Sequence, residues 1–177
     1  MFYHNILHDD MRNGEGLRVV LFVSGCDHHC ENCQNPQTWV KDSGIEFDLA
    51  AKEEIFEQLN KEYINGITFS GGDPLHKNNL QCIFELCKEI KAKFPTKTIW
   101  IYTGYTWDYI FDTVNTVDVF GNQTRQEIIK QCDVLVDGRY EEDKRSPNLP
   151  WVGSSNQRVI DVQQTLEKGE IILWHTN

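Results

Sequence analysis

The sequence predicts an α/β fold with a mostly parallel sheet, and two observations carry this prediction. Helical periodicity alternates along the chain with short apolar runs, an order that is typical of right-handed βαβ units. The apolar runs are too continuous for a sheet with one face in water, which indicates buried parallel strands. Four such strands are predicted, at residues 19–23, 67–69, 99–102 and 134–136.

Helices are predicted between these strands. Apolar residues recur at helical spacing over residues 79–94, and a second apolar stripe covers residues 49–62. Asp48 precedes the second stripe and is a residue type suited to cap a helix N-terminus. Thr124 and Glu127 form a capping-box pattern, which predicts the start of a later helix.

The composition is that of a folded globular chain. With 177 residues, 40% of them hydrophobic, the chain can bury a core as one domain over residues 1–177. The polar segment 115–126 is predicted to be a loop between helices rather than a domain boundary.

Charge and hydropathy exclude two classes of partner. Seventeen Lys and Arg against 27 Asp and Glu give a net charge of -10, and there is no basic stripe of the kind that binds nucleic acid. No stretch approaches the roughly 20 apolar residues that span a bilayer, and the N-terminus lacks a signal-peptide pattern. We therefore expect a cytoplasmic protein with neither a nucleic acid nor a membrane as partner.

Three cysteines form the strongest local motif. Cys26, Cys30 and Cys33 follow the first predicted strand with the spacing C-x3-C-x2-C, and soft thiolates select zinc, copper(I) or iron-sulfur clusters. A structural zinc site needs four ligands, and His28 or His29 would supply the fourth. In a four-iron cubane cluster, by contrast, three cysteine ligands leave one iron open. The remaining cysteines are interpreted as small buried hydrophobes: Cys82, Cys87 and Cys132.

Small and polar residues follow each predicted strand. In parallel α/β sheets the functional groups gather at the carboxyl ends of the strands, so one edge of the sheet is predicted to be a site. The four strand ends read Ser24-Gly25-Cys26, Ser70-Gly71-Gly72-Asp73-Pro74, Thr103-Gly104-Tyr105 and Asp137-Gly138-Arg139.

The cysteine loop, with Gly71-Gly72-Asp73-Pro74 at the end of the next strand, resembles the radical S-adenosylmethionine superfamily. Further stretches make the chain similar to the activating proteins of anaerobic ribonucleotide reductase over nearly its whole length. There are two departures from the usual pattern: Asn32 precedes the third cysteine where an aromatic residue is common, and Glu15 stands where proline is usual. The stretches are Asn13-Gly14-Glu15-Gly16-Leu17-Arg18, Trp100 with Thr103-Gly104-Tyr105, Val136-Asp137-Gly138-Arg139 and Gly153-Ser154-Ser155-Asn156-Gln157.

The resemblance implies an oxidoreductase that carries one [4Fe-4S] cluster. Cys26, Cys30 and Cys33 would hold the cluster, and the amino and carboxylate groups of S-adenosylmethionine would chelate its open iron. One electron, from a low-potential donor such as flavodoxin, then yields methionine and a 5'-deoxyadenosyl radical. The implied substrate is a glycine Cα hydrogen in a loop of the large reductase subunit. An open, incomplete (βα) barrel is the fold expected, since such a loop must enter the site.

The resemblance also implies roles at the strand ends. Gly71 and Gly72 would let the backbone approach the methionine amino group, and Asp73 would add an acceptor; an ordinary turn is the alternative. Three further residues would reach ribose hydroxyls or the cofactor carboxylate: Thr103, Tyr105 and Asp137. Alternatively, Thr103 and Asp137 only cap helices.

Two further segments are expected to serve the partner. Asn13 and Arg18 precede the first predicted strand, where Arg18 would pair with a carboxylate of the cofactor or the partner, or remain solvated beside a plain turn. The second segment is a late loop that contains Ser154, Ser155, Asn156 and Gln157. Its hydrogen-bonding side chains suit a partner with exposed backbone, such as a glycine loop. The alternative is a simple turn, in which Ser and Asn are common.

Other functions remain open at this stage. One is the activation of another glycyl radical enzyme, such as pyruvate formate-lyase, and another is radical chemistry on a pterin. The lack of further C-x2-C pairs argues against activases with additional clusters. The alternative from a different class is a non-enzymatic zinc-binding or redox-sensing module.

Overall fold

The computed structural model describes residues 1–112 and 118–174. Within these residues one sheet has the strand order β3-β1-β2-β4-β5-β6-β7, and its two edge strands do not pair with each other, so the sheet is open. The strands are β1 (Phe2–Asp10), β2 (Arg18–Val23), β3 (Ile45–Glu46), β4 (Gly66–Gly71), β5 (Thr98–Tyr102), β6 (Val134–Asp137) and β7 (Arg158–Asp161).

The centre of the sheet is parallel, as predicted. Strands β2, β4, β5 and β6 pair in parallel and correspond to the four apolar runs. The outer strands β1, β3 and β7 pair antiparallel and were not predicted. Strand β1 has no fully buried residue, so it lacks the continuous apolar run by which buried strands are recognised.

The helices expected between the central strands are also present. The helices are α1 (Leu49–Leu59), α2 (Leu80–Lys93), α3 (Trp107–Phe111), α4 (Val119–Lys130) and α5 (Val162–Lys168). The predictions for α1 and α2 are confirmed, and the Asp48 carboxylate accepts a hydrogen bond from Ala51 N at 2.9 Å, as a helix cap does. In the described part of the chain, no helix combines the length and apolar character that crossing a membrane requires.

The predictions for α4 are wrong in two respects. The segment 115–126 is helical from Val119 onward, while its first three residues lie outside the described residues. Thr124 lies inside this helix, where its hydroxyl donates to Phe120 O at 3.2 Å. The capping residue is Asp118, whose carboxylate accepts from Gly121 N at 3.2 Å. An Asp followed by apolar residues was therefore the relevant signal.

The two faces of the sheet differ in character. The helices cover one face, where Val19, Leu21, Ile67 and Phe69 belong to the main apolar core. Because side chains alternate along a strand, the intervening residues point to the opposite face. That face carries Arg18, Phe22, Thr68, Ser70, Trp100 and Tyr102.

Arg18 does not reach a partner surface in this structure. Its side chain is fully buried at the amino end of β2, and its guanidinium stacks over the Trp100 ring, 5.2 Å from the centroid. It donates hydrogen bonds to Thr68 Oγ1, Glu15 O, Thr98 Oγ1, Ile67 O and Thr98 O. Burial lowers the pKa of Arg18 to about 10, which leaves it charged at neutral pH. The expected pairing with a cofactor or partner carboxylate is replaced by a role in joining three parallel strands.

Replacing Arg18 tests this structural role. We expect Arg18→Met to lower the free energy of unfolding by about 3 kcal/mol, because hydrogen bonds from a buried charged group are lost together. Arg12→Met, at an exposed position nearby, is the control and should change stability by less than about 0.5 kcal/mol. Denaturant unfolding followed by circular dichroism measures both, and equal midpoints for the two variants would contradict the assignment.

Candidate active site

A cavity of about 600 Å³ lies along the sheet face opposite the helices, and residues at the carboxyl ends of the parallel strands line it. All three cysteines of the motif line it, together with Gly71, Gly72, Asp73, Thr103 and Gly104. The predicted gathering of polar strand ends at one edge is therefore observed. The cavity wall also includes Trp39, Tyr102, Gly138, Arg139, Gly153 and Gln157.

Backbone hydrogen bonds fix the start of the cysteine loop, residues 26–33. Gly25 N donates to Thr38 O at 2.7 Å and Cys26 N donates to Trp39 O at 3.1 Å, while Asp73 N donates to Gly25 O at 2.7 Å. The loop thus leaves β2 between the turn after β4 and the 3-10 segment Pro36–Thr38. This position directs the cysteines toward the cavity.

Asn32 has a conformational reason for its place before the third cysteine. Its φ is 52°, in the left-handed region, which asparagine tolerates better than bulky side chains do. Cys33 N donates to Cys30 O at 3.2 Å, closing the turn around it. The departure from the aromatic pattern therefore matches the backbone of this loop.

The thiols lie in a partly desolvated environment. Burial raises the pKa of the Cys26 thiol to about 12, against the opposing effect of backbone N–H groups of His28 and His29. Burial also raises the pKa of Cys30, and the backbone N–H of Tyr140 opposes that shift. Because metal sites bind thiolates, loading this site must release protons, and the same N–H groups then face sulfur atoms that carry negative charge.

Gly71 and Gly72 form a turn without space for side chains. Gly71 has a φ of 100°, a conformation that favours glycine. A Cβ on Gly72 would lie 2.7 Å from Gly25 O and 3.0 Å from both Thr38 O and Val23 O. These atoms belong to the backbone that carries the cysteine loop, so the turn and the loop are packed directly against each other.

Asp73 lies in the cavity wall, but its carboxylate is occupied by the chain. It accepts from Leu75 N at 2.8 Å, Thr103 Oγ1 at 2.9 Å and Gly104 N at 3.1 Å. His28 Nε2 is a further partner at 2.8 Å. Thr103 is therefore at the predicted edge, with its hydroxyl donating to Asp73 rather than capping a helix.

Tyr105 and Asp137 lie within the described residues, yet neither belongs to the cavity lining. The Asp137 carboxylate accepts from Trp107 N at 2.7 Å and Arg158 Nε at 3.0 Å, on the helix side of the sheet. Tyr105 stacks on Tyr109 and accepts from Arg125 at 3.2 Å. Burial raises the pKa of Tyr105 to about 12, against the effect of Arg125. Their expected contacts with a cofactor are thus replaced by contacts with the chain.

The side chains of the late loop form hydrogen bonds with backbone atoms of residues 138–141. Gln157 Nε2 donates to Gly138 O at 3.0 Å, and Asn156 Nδ2 donates to Arg139 O at 2.8 Å. Ser154 Oγ, fully buried, accepts from Glu141 N at 3.1 Å. The prediction of a loop suited to backbone atoms fits this geometry, but the backbone is that of the chain itself, and Ser155 is the exposed member.

Asn13 lies at the far end of the same cavity, near the amino ends of the strands. Its backbone N and its Nδ2 both donate to Asp10 Oδ1, at 2.8 and 3.0 Å. Its carbonyl oxygen accepts from Thr68 Oγ1 at 2.7 Å. The side chain therefore closes a turn at the end of β1.

Two buried polar atoms in the cavity wall have no hydrogen-bond partner within the described residues: Trp39 Nε1 and Tyr102 Oη. Sequence reasoning did not select either residue. Trp39 packs edge-on against His29 of the cysteine loop, with ring centroids 4.7 Å apart, and burial raises the pKa of Tyr102. Buried polar groups are normally satisfied by protein or by ordered water, so these two atoms are candidates for a hydrogen bond to water or to a polar ligand.

The histidines beside the three cysteines are engaged by other side chains. Across residues 1–112 and 118–174, no three side chains of the His, Cys, Asp and Glu types converge closely enough to hold one ion. A structural zinc site draws four ligands to about 2.0–2.3 Å from the metal. His28 Nε2 is already directed to Asp73 and His29 packs on Trp39. In this structure the two histidines therefore contact other side chains instead of completing a four-ligand site with the cysteines.

Comparison with known proteins agrees with this geometry. A family model described as a 4Fe-4S single cluster domain matches residues 12–160. The chain is similar to the anaerobic ribonucleoside-triphosphate reductase-activating protein of Escherichia coli strain K12, with 41% identity over 161 residues, 90% of this chain and 97% of that protein. The protein of the same name from Enterobacteria phage T4 is 41% identical over 159 residues, 90% of this chain and 93% of its own length.

The chain belongs to this family. A third member, from Pasteurella multocida strain Pm70, is 38% identical over 157 residues, 88% of this chain and 94% of that protein. The resemblance inferred from the motifs is therefore confirmed. For a member of the activating-protein family, the cavity beside the three cysteines is the candidate active site.

Gly72→Ala tests whether the close contact between the turn and the cysteine loop shapes the site. We expect reduced iron binding after anaerobic reconstitution with iron and sulfide, because the added Cβ must displace the backbone of residues 23, 25 or 38 at a cost of about 1–3 kcal/mol. Gly169→Ala is the control: no described atom lies within 4 Å of the added Cβ, so this variant carries the backbone strain of a φ of 71°, which Gly72 lacks, without a steric contact. Equal iron content in the two variants would contradict the proposed packing role.

Proposed function

We propose that this protein is a radical S-adenosylmethionine enzyme that installs a glycyl radical on anaerobic ribonucleoside-triphosphate reductase. The observation that carries the proposal is the convergence of Cys26, Cys30 and Cys33 on one cavity beside the Gly71 and Gly72 turn. Membership of the activating-protein family and the match to a 4Fe-4S domain support it. The cytoplasm is the proposed location.

In this proposal the three thiolates hold a [4Fe-4S] cluster at the cavity wall, within the one domain. When bound, the cluster and S-adenosylmethionine supply a one-electron cleavage that yields a 5'-deoxyadenosyl radical. Backbone N–H groups of His28, His29 and Tyr140 are placed to stabilise negative charge on the sulfur atoms. Such hydrogen bonds tune the reduction potential of a cluster.

The chain offers several groups for the cofactor. Gly71 and Gly72 give backbone atoms at the cavity wall without side chains that would block approach. Trp39 Nε1 and Tyr102 Oη, which have no hydrogen-bond partner in the described part of the chain, are proposed to bind the carboxylate or ribose oxygens of S-adenosylmethionine. Thr103 and Asp73 would then support the wall rather than contact the cofactor.

The open sheet suits a macromolecular substrate. We propose that the sheet acts as an incomplete (βα) barrel, whose open side admits the glycyl loop of the large reductase subunit. Ser155, exposed at the tip of the late loop, and Arg139, exposed in the cavity wall, are the candidate contacts for that loop. A low-potential donor such as flavodoxin would supply the electron.

The first test measures cofactor cleavage. Anaerobically reconstituted protein, reduced with dithionite in the presence of S-adenosylmethionine, should produce 5'-deoxyadenosine, detected by chromatography. Single changes of Cys26, Cys30 or Cys33 to Ala should lower the product to the uncatalysed level, since each removes one cluster ligand. Cys82→Ala is the matched control, because this half-buried thiol lies on α2, away from the cavity lining.

The outcomes separate the classes of function. Stoichiometric zinc with no 5'-deoxyadenosine would support the binding-module alternative and contradict the proposal. If cofactor is cleaved, the large reductase subunit should acquire an electron paramagnetic resonance signal that is lost when its target glycine is changed to alanine. A signal on a pyruvate formate-lyase loop but not on the reductase would assign the protein to another glycyl radical enzyme.

A further inference from the structure

A hydrogen-bonded chain of three side chains crosses the cavity wall from Arg139 through His28 to Asp73. We propose that His28 is a positioning residue, which clamps the cysteine loop to the turn formed by Gly71 and Gly72, and that Asp73 serves this clamp rather than the cofactor. The clamp is a feature of the protein alone. Only its consequence, the affinity for S-adenosylmethionine, rests on the proposed function.

The contacts define the direction of each hydrogen bond. His28 Nε2 lies 2.8 Å from Asp73 Oδ2, and the two side chains are 10% and 2% exposed. Arg139 Nε lies 3.1 Å from His28 Nδ1. Because a guanidinium nitrogen only donates, Nδ1 must accept, and Nε2 then carries the hydrogen that Asp73 accepts. Neutral His28 satisfies both neighbours in this one tautomer.

Asp73 has no acceptor capacity left for a cofactor amino group. A carboxylate offers about four lone-pair sites, and four donors of the chain already point to it: Leu75 N, Thr103 Oγ1, Gly104 N and His28 Nε2. The residue is 1% exposed. A cofactor amine would have to displace one of these donors, so the backbone of the glycine turn is the available partner.

The slot that holds the His28 ring is shaped for it. A Cβ on Gly104 would lie 2.3 Å from Cδ2 of the ring and 2.6 Å from Cγ and Nε2. The Tyr105 ring meets the imidazole edge-on, with centroids 4.7 Å apart. Glycine at position 104 and tyrosine at 105 therefore have a packing role, which explains their place at the strand end without a contact to the cofactor.

The cysteine loop requires such an anchor. His29 and Asn32 both adopt left-handed backbone conformations, with φ of 48° and 52°, which side-chain-bearing residues disfavour. The loop makes a second contact to the same turn, through Asp27 and His76 Nε2 at 3.2 Å, but Asp27 is 65% exposed. Exposed pairs contribute little, so of these two side-chain contacts that of His28 is the stronger, and it adds to the backbone hydrogen bonds that fix the start of the loop.

The clamp is tested first in ligand-free protein, by hydrogen exchange of the loop amides. We expect His28→Leu, which keeps the bulk but loses both hydrogen bonds, to speed exchange at residues 26–34 roughly fivefold or more, the factor that corresponds to one net hydrogen bond. His28→Gln, whose amide can still donate to Asp73, should stay near the wild-type rate. Asp27→Asn is the matched control on the same loop and should leave the rates unchanged.

The second measurement concerns the reconstituted protein. Titration of S-adenosylmethionine against the electron paramagnetic resonance spectrum of the reduced cluster should show about tenfold to hundredfold weaker binding in His28→Leu, the range typical of residues that orient metal ligands. His28→Gln should recover most of the affinity. Gly104→Ala, which closes the slot for the His28 ring while the sequence of the loop stays unchanged, should reproduce the effect of His28→Leu and keeps the test valid if that variant folds poorly.

Equal behaviour of the Leu and Gln variants in both measurements would overturn the proposal, because a role in packing alone does not distinguish them. Wild-type exchange rates in His28→Leu would overturn it as well. If the wild-type protein takes up no cluster, the proposed function fails, while the exchange experiment on ligand-free protein still decides whether the clamp exists.

Discussion

The arrangement of the site depends on the buried carboxylate of Asp73. This group receives hydrogen bonds from its own turn, from the end of β5 through Thr103 and Gly104, and from the cysteine loop through His28. Three segments that are distant in sequence are thereby held around one negative charge. A buried carboxylate without these donors would be strongly destabilising, so the charge imposes the relative positions of the three segments. The loop that carries the cysteines is held to the other two segments by this network together with its backbone hydrogen bonds.

The buried guanidinium of Arg18 joins strands in the same way at their amino ends. Arg18 donates to β4 through Thr68 and Ile67 and to β5 through Thr98, so the amino ends of the parallel strands are joined around a positive charge. Trp100 packs against Arg18, Trp151 and Trp174 and fills the sheet face toward β7. The cavity is thus confined to the part of that face that leads from Asn13 to the cysteines. Polar burial at both ends and aromatic packing at one side thus define the walls of the cavity beside the cysteines.

Sequence reasoning reached the central strands and the cysteines because their signals are local. The run from Val19 to Val23 is apolar without interruption, and Cys26, Cys30 and Cys33 lie within eight residues. Strand β1 was not predicted because it is half-exposed. The start of α4 was misplaced because Thr124 and Glu127 match a capping-box pattern, whereas the residue that caps the helix is Asp118. Apart from Leu75 and Glu15, the partners of Asp73, Asp137 and Arg18 are 21 to 80 residues away in sequence, and no local pattern indicates such pairs. Alternation along β6 could not help, because Val134, Leu135 and Val136 are all apolar and do not indicate which face Asp137 takes.

The saturation of Asp73 changes how the glycine turn should be understood. A carboxylate beside two glycines at a strand end is readily taken for a cofactor ligand, and the residue types alone do not argue against it. Its burial and its four donors do, because a ligand can bind only to groups that are free or that gain by exchange. Trp39 Nε1 and Tyr102 Oη meet that condition, since in the described part of the chain they are buried without partners. Under the proposed function, backbone atoms of the turn and these two aromatic side chains are therefore the candidate contacts for the cofactor, while the charged residues hold the cavity wall.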